Sequence, residues 1–130
     1  MDFGKNKLKQ LDRMLKKDPD AYETNMQMGL FYLRQEDISA AIPYLEKAAA
    51  KSKESKLLFV LANAHKALGH QEVCESYFKQ AVANDPNNFE YLHNYGLLLH
   101  SANRLDDAID LLGRAVLLQP QNFELHNDIG

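Results

Sequence analysis

The feature that most constrains this chain is that it repeats itself every 34 residues. Leu92-His93-Asn94-Tyr95-Gly96-Leu97-Leu98-Leu99 stands 34 positions after Leu58-Phe59-Val60-Leu61-Ala62-Asn63-Ala64-His65. Both segments open on Leu and carry a small residue at the fifth place. The same offset takes Cys74 to Ala108, Phe78 to Leu112, Ala81 to Ala115 and Pro86 to Pro120. An earlier copy, 22–54, is one residue shorter and carries Met28-Gly29, Ala41, Leu45 and Ala48, with Lys53 where the closing proline would fall. A further start is visible at the other end, where Phe123-Glu124 repeats Phe89-Glu90 and Ile129-Gly130 repeats Tyr95-Gly96. A fixed period of this length describes one supersecondary unit stacked on its own copies, each burying a face that it cannot bury alone.

Within each copy two apolar stripes at helical spacing flank a short polar break. Leu58, Leu61, Ala62 and His65 mark one stripe, and Cys74, Phe78 and Ala81 the next. Gly69 falls at the break, where a helix can end in the left-handed conformation that glycine tolerates. Asp85-Pro86-Asn87-Asn88 supplies the turn to the next copy, since Pro cannot continue a helix and Asn can cap one. The pattern predicts helices near 4–17, 21–35, 38–51, 55–68, 71–84, 89–102, 105–118 and 122–130. Pro43 falls in or just past a first turn if Asp37 or Ser39 caps its helix. Gly29, Ala62 and Gly96, with Ala48, Ala81 and Ala115, are small where two helices must approach closely. Asp18-Pro19-Asp20 has the phase of a closing turn, which makes 1–21 the second helix of a truncated copy, and 123–130 begins a new one. Both ends are therefore expected to expose apolar faces, as in a fragment of a longer array or a self-associating protein.

These residues resemble the tetratricopeptide repeat, whose signature sets a large residue, Leu-Gly, an aromatic, Ala, an aromatic and Pro at defined spacings. The best match is Leu92, Tyr95-Gly96, Leu99, Ala108, Leu112, Ala115 and Pro120; Tyr32 and Phe78 keep aromatic character elsewhere. The chain departs from the signature in having no Trp and in placing Cys74 in a small-residue slot. The resemblance covers nearly the whole chain. It implies an all-α fold, a right-handed superhelical stack of antiparallel helix pairs, organised as one repeat domain over 1–130 with full copies at 22–54, 55–88 and 89–122.

In such stacks the first helix of each pair lines an inner, concave face. Residues at intervals of three and four then form three rows. They are Glu23, Met26, Leu30, Leu33 and Arg34; Lys56, Phe59, Asn63, Lys66 and Ala67; and Glu90, His93, Leu97, His100 and Ser101. Met26, Leu30, Leu33 and Phe59 stand out, because the repeat pattern does not require them to be apolar. One reading is a groove for an amphipathic helix or extended peptide. The other is packing against neighbouring helices. Lys56 and Lys66 beside Asn63 could meet a guest carboxylate or amide, or simply form a solvated helix face. Some relatives clamp a chaperone tail's terminal carboxylate with Lys and Asn from successive first helices. Asn63 and Asn94 suit two members of that clamp, but Met26 supplies no cation, and Glu124 and Asp128 would repel the carboxylate.

Other chemistries find little footing. With one cysteine, no intrachain disulfide or cysteine-based zinc cluster can form. His93 and His100 share a face but stand two turns apart, roughly 10 Å along the axis, too far for one metal without further ligands. His65 fills an aromatic slot as a core residue; His70 and His126 offer no pattern. Asp106, Asp107 and Asp110 open a helix, where negative charge suits the positive dipole end. No Gly-rich phosphate loop or nucleophile elbow is present. The net charge of −3 does not suggest nucleic acid. It is unevenly spread: residues 1–20 carry six Lys/Arg against four Asp, and 85–130 two Arg against seven acids. The basic segment KNKLKQLDRMLKK could suit an anionic membrane; a buried stripe of Leu8, Leu11 and Leu15 with a solvated charged face is the stronger reading. No secretory signal is evident and no apolar run approaches the roughly 20 residues that span a bilayer, so a cytoplasmic location is expected.

The sequence thus points to a non-catalytic interaction scaffold, without cofactor or metal, that binds a peptide or helix of a partner protein in its concave groove. Self-assembly through uncapped ends, giving a homo-oligomer, is one alternative. Service as the targeting module of an enzyme whose catalytic domain lies elsewhere is another.

Overall fold

The computed structural model describes residues 3–118. Those residues form seven α-helices: α1 (Phe3–Lys17), α2 (Tyr22–Arg34), α3 (Ile38–Lys51), α4 (Ser55–Ala67), α5 (Gln71–Asn84), α6 (Phe89–Ser101) and α7 (Leu105–Leu118). The expected helix at 122–130 lies outside the described residues. The other seven expectations meet the observed boundaries within one residue, because local breakers set them. Asp37 Oδ1 accepts from the Ala40 amide at 3.2 Å and Asn88 Oδ1 from the Tyr91 amide at 3.1 Å, each satisfying a donor in a first helical turn. Pro43 sits inside α3 just past the turn that Asp37 caps.

The three hairpins close by the same device. At each break one residue takes a left-handed conformation: Glu36 (φ 61°), Gly69 (φ 79°) and Asn103 (φ 63°). The following amide reaches back five residues, Asp37 to Tyr32, His70 to His65 and Arg104 to Leu99, each at 2.9 Å. The left-handed residue's own amide donates to Leu33, Lys66 or His100 at 3.0–3.1 Å. This is the paired-bond termination that turns a helix back on itself. Gly69 takes the conformation without a side-chain penalty; Glu36 does not.

α2 packs on α3, α4 on α5 and α6 on α7 as the most extensive contacts. α1–α2, α3–α4 and α5–α6 join these pairs in series, giving a right-handed all-α solenoid. Small residues let each pair close. A Cβ on Gly96 would lie 2.7 Å from Leu112 Cγ, and one on Gly29 would collide with the Leu45 side chain. The core runs through Ala41, Leu45, Ala48, Leu57 and Leu61, then through Leu58, Cys74, Phe78, Leu92, Tyr95, Leu99 and Leu112. In α1, Leu11 is buried, Leu8 and Leu15 are half-buried, and the lysines are exposed. One core slot changes character. Where the later copies have Leu58 and Leu92, the first has Asn25, fully buried, whose Nδ2 donates to the carbonyls of Pro19 (3.0 Å) and Ala21 (2.9 Å). It ties the preceding turn to α2 by hydrogen bonds rather than by packing.

Candidate interaction surface

The three rows of candidate residues lie on α2, α4 and α6, the first helices of the three pairs. Leu33 near the end of α2 and Phe59 and Asn63 on α4 border one cleft of about 350 Å³, closed by Glu36, Ile38 and Val60. Phe59 is half-buried: its ring lies 5.8 Å from that of Phe78 and 4.8 Å from that of Tyr91. Met26 and Leu33 likewise lean on the first core cluster, Phe59 on the second. Of the four apolar residues singled out in the rows, three thus serve the core with one side and face outward with the other. Leu30 is also half-buried, and Arg34, Lys56 and Lys66 are exposed.

The remaining predicted positions divide among other surroundings. Arg34 joins Phe31, Gln35 and residues of α1 around a second cleft. Glu90 borders a third, with Asn87, Asn88 and Phe89. His93 stacks on Phe89 at 5.5 Å, Leu97 is half-buried, and His100 and Glu23 are exposed. Asn63 and Asn94 use their side-chain amides within their own helices, donating to the Phe59 (3.2 Å) and Glu90 (2.8 Å) carbonyls. Neither side-chain carbonyl oxygen has a hydrogen-bond partner among the described residues.

The seams between successive pairs carry polar ties. His65 is buried at 6% exposure, as its aromatic slot implies, but His70 is not patternless: the two Nδ1 atoms are 3.1 Å apart. The ring centroids are 5.3 Å apart, about the sum of that distance and two ring radii, so the nitrogens point along one line and share one hydrogen. Nε2 of His65 lies 3.6 Å from Glu46 Oε2, a contact too long for a hydrogen bond. Tyr77 stacks on His65 and donates to the same Glu46 oxygen at 3.1 Å. Burial and Glu46 push the Tyr77 hydroxyl up to about 12. At the next seam Arg104 Nη1 meets both oxygens of Glu75 at 2.6 and 2.7 Å, and Tyr95 donates to Glu75 at 3.4 Å. Burial and Glu75 push Tyr95 up to about 12 as well. A motif search could have flagged His70 only through its placement five residues after His65 across the Gly69 turn.

Burial pushes the Cys74 thiol up, toward an inert form. Among the described residues no group of three or more His, Cys, Asp or Glu side chains is arranged to hold a metal. No helix among them is long and apolar enough to cross a membrane.

Sequence comparison with curated proteins found no match. Comparison with solved structures found many. MamA aligns over 99% of this chain and 81% of its own, with a TM-score of 0.86 at 20% identity. MamA from residue 41 to its end, from Desulfovibrio magneticus RS-1, aligns over 92% and 68%, with a TM-score of 0.81 at 18% identity. The first TPR of Spaghetti (RPAP3), solved with the HSP90 peptide SRMEEVD, aligns over 83% and 86%, with a TM-score of 0.75 at 24% identity. These likenesses show a shared fold. Three tetratricopeptide repeat models match residues 8–56, 55–88 and 77–110, together spanning 8–110. With its repeat period, paired helices and small residues where the helices of a pair meet, the chain belongs to the tetratricopeptide repeat family.

Proposed function

We propose that this protein is a non-catalytic scaffold that holds a peptide or helix of a partner protein on its inner face, centred on Leu33, Phe59 and Asn63. The observation carrying this reading is that two helices from different repeats contribute apolar side chains and a free amide oxygen to one cleft. Clefts with a mostly apolar lining and a few placed polar groups are where guests dock. The peptide bound to the Spaghetti (RPAP3) repeat supports peptide binding as a use of this fold; the fold itself serves many functions. Met26, Leu30, Arg34, Lys56, Lys66, Glu90, His93, Leu97 and His100 extend the contact surface in this reading.

The test is a pull-down from host lysate with the wild-type chain, Phe59→Glu and Asn63→Glu. Because Phe59 also touches the core, circular dichroism must show retained helicity before its result counts. Asn63 is half-buried at the cleft margin and supplies the second probe. A protein retained by wild type and lost by both folded variants supports the reading. Equal retention by all three sinks it.

A second reading, self-association, is favoured by α7, where Leu105, Ile109 and Leu117 are 47%, 61% and 81% exposed. Sedimentation of wild type against Ile109→Glu separates the two: a concentration-dependent oligomer abolished by the charge would establish association through α7.

A further inference from the structure

The cleft between α1 and α2 has a chemistry of its own. It encloses about 570 Å³ between Asn6, Lys7 and Gln10 on one side and Phe31, Arg34 and Gln35 on the other. Phe31 is half-buried and turns its ring edge-on to Tyr32, with centroids 5.5 Å apart. Gly4 lies over that ring; a Cβ there would sit 3.7 Å from it, in ordinary contact. Lys7 and Arg34 are exposed, and among the described residues neither has an ion-pair partner. Among the described residues no carboxylate lines this cleft, whereas Glu36 lines the Leu33–Phe59 cleft, Glu90 the one at the start of α6, and Glu46 and Glu72 the seam between α3 and α5. It therefore presents two positive charges and neutral amides around an aromatic ring. A guanidinium binds a carboxylate through two parallel hydrogen bonds, and the ring gives an apolar surface beside it. Arg34 and Gln35 line this cleft and Leu33 and Glu36 the one that ends on Phe59 and Asn63, so the two flank the C-terminal end of α2.

The geometry points to an acidic guest: a partner peptide that places an Asp or Glu side chain between Lys7 and Arg34 and an apolar residue in the Leu33–Phe59 cleft. This rests on the groove reading above and adds the guest's chemistry. The surrounding lysines of α1 attract any anion weakly; the cleft differs by setting cations from two helices around one ring.

The test pans a phage library of random twelve-residue peptides against the full chain, then measures the enriched peptides by titration calorimetry. Enriched sequences are expected to carry Asp or Glu. Their Asn/Gln analogues should bind at least tenfold more weakly, and Arg34→Ala should lower affinity tenfold and Lys7→Ala several-fold. Lys16→Ala, on the same helix but outside the cleft, should change it less than twofold. No enrichment, enrichment without acids, or equal losses in Arg34→Ala and Lys16→Ala would each overturn the assignment. Asn63→Glu keeps the two readings apart. If Asn63→Glu weakens binding and Arg34→Ala does not, the acidic guest is wrong and the groove survives. If Arg34→Ala alone acts, the acid is held between Lys7 and Arg34, and the Leu33–Phe59 half of the assignment falls with the groove reading. Binding to phosphatidylserine vesicles lost equally on Arg34→Ala and Lys16→Ala, without peptide capture, would assign these cations to a membrane surface and overturn it too.

Discussion

The α2–α3 and α6–α7 hairpins are built to one plan and filled differently. Both close on a glycine facing a leucine, Gly29 on Leu45 and Gly96 on Leu112. Both end their first helix with the same pair of reach-back hydrogen bonds. Yet α2–α3 buries Asn25 where α6–α7 buries Leu92, and it turns on Glu36 where the other turns on Asn103. Their candidate rows diverge too, from Met26 and Leu33 to His93 and His100. Close approach of helix axes admits one solution, so it recurs. Slots that can be satisfied by either packing or hydrogen bonds are free to vary, and the variation makes α2–α3 the more strained and the more apolar along the row of its first helix.

The comparison breaks first at the glycines. Gly29→Leu and Gly96→Leu should each lower stability by about 1–3 kcal/mol through overpacking, measured by urea unfolding. Adding Leu45→Ala or Leu112→Ala should recover part of the loss, since the clash is with those side chains; no recovery would mean that the backbone sets the limit. Asn25→Ala should cost about 1–3 kcal/mol, from lost hydrogen bonds to the turn and an unfilled slot. If Asn25→Ala proves neutral, the turn at Pro19 holds itself. Glu36→Gly should stabilise by about 0.5–1 kcal/mol by relieving the left-handed strain. Asn103→Gly should change stability by less, because Asn tolerates that conformation. Equal effects at both turns would remove the difference in strain between the hairpins.

The smallest effect is alkaline. Tyr77 and Tyr95 are raised in the folded state from 10.0 to about 12. Above the unfolded value the unfolded chain releases these protons more readily, so the contribution is complete below pH 10 and is lost as pH rises toward about 12. Stability should therefore fall across that window, and Glu46→Gln or Glu75→Gln should soften the fall by removing the carboxylate that each hydroxyl meets. Both seams should respond alike; a response at one alone would show that the carboxylate contact at the other is idle.

Much of this was legible in the residue order. Pro19, Gly69, Pro86 and Asn88 place the breaks, and the spacing of Leu58, Leu61, Phe78 and Ala81 marks the buried stripes, because helix ends and faces depend on residues within a few positions of each other. The inner-face rows were legible as lists of candidates. Which of their members meet was not. Leu33 joins Phe59 and Asn63 while its neighbour Arg34 turns to Lys7 and Phe31, and sequence spacing alone treats the two as one row.

The sequence by itself determined the repeat, the helices, the close approaches at Gly29 and Gly96, and the family. Only the tertiary structure decided the clefts, the His65–His70 contact and the Glu75–Arg104 tie. The physical reason is range. Helix formation and hairpin closure are set by neighbours in the chain. A cleft between repeats depends on the rotation from one pair to the next, and every packed side chain along the seam contributes to that angle.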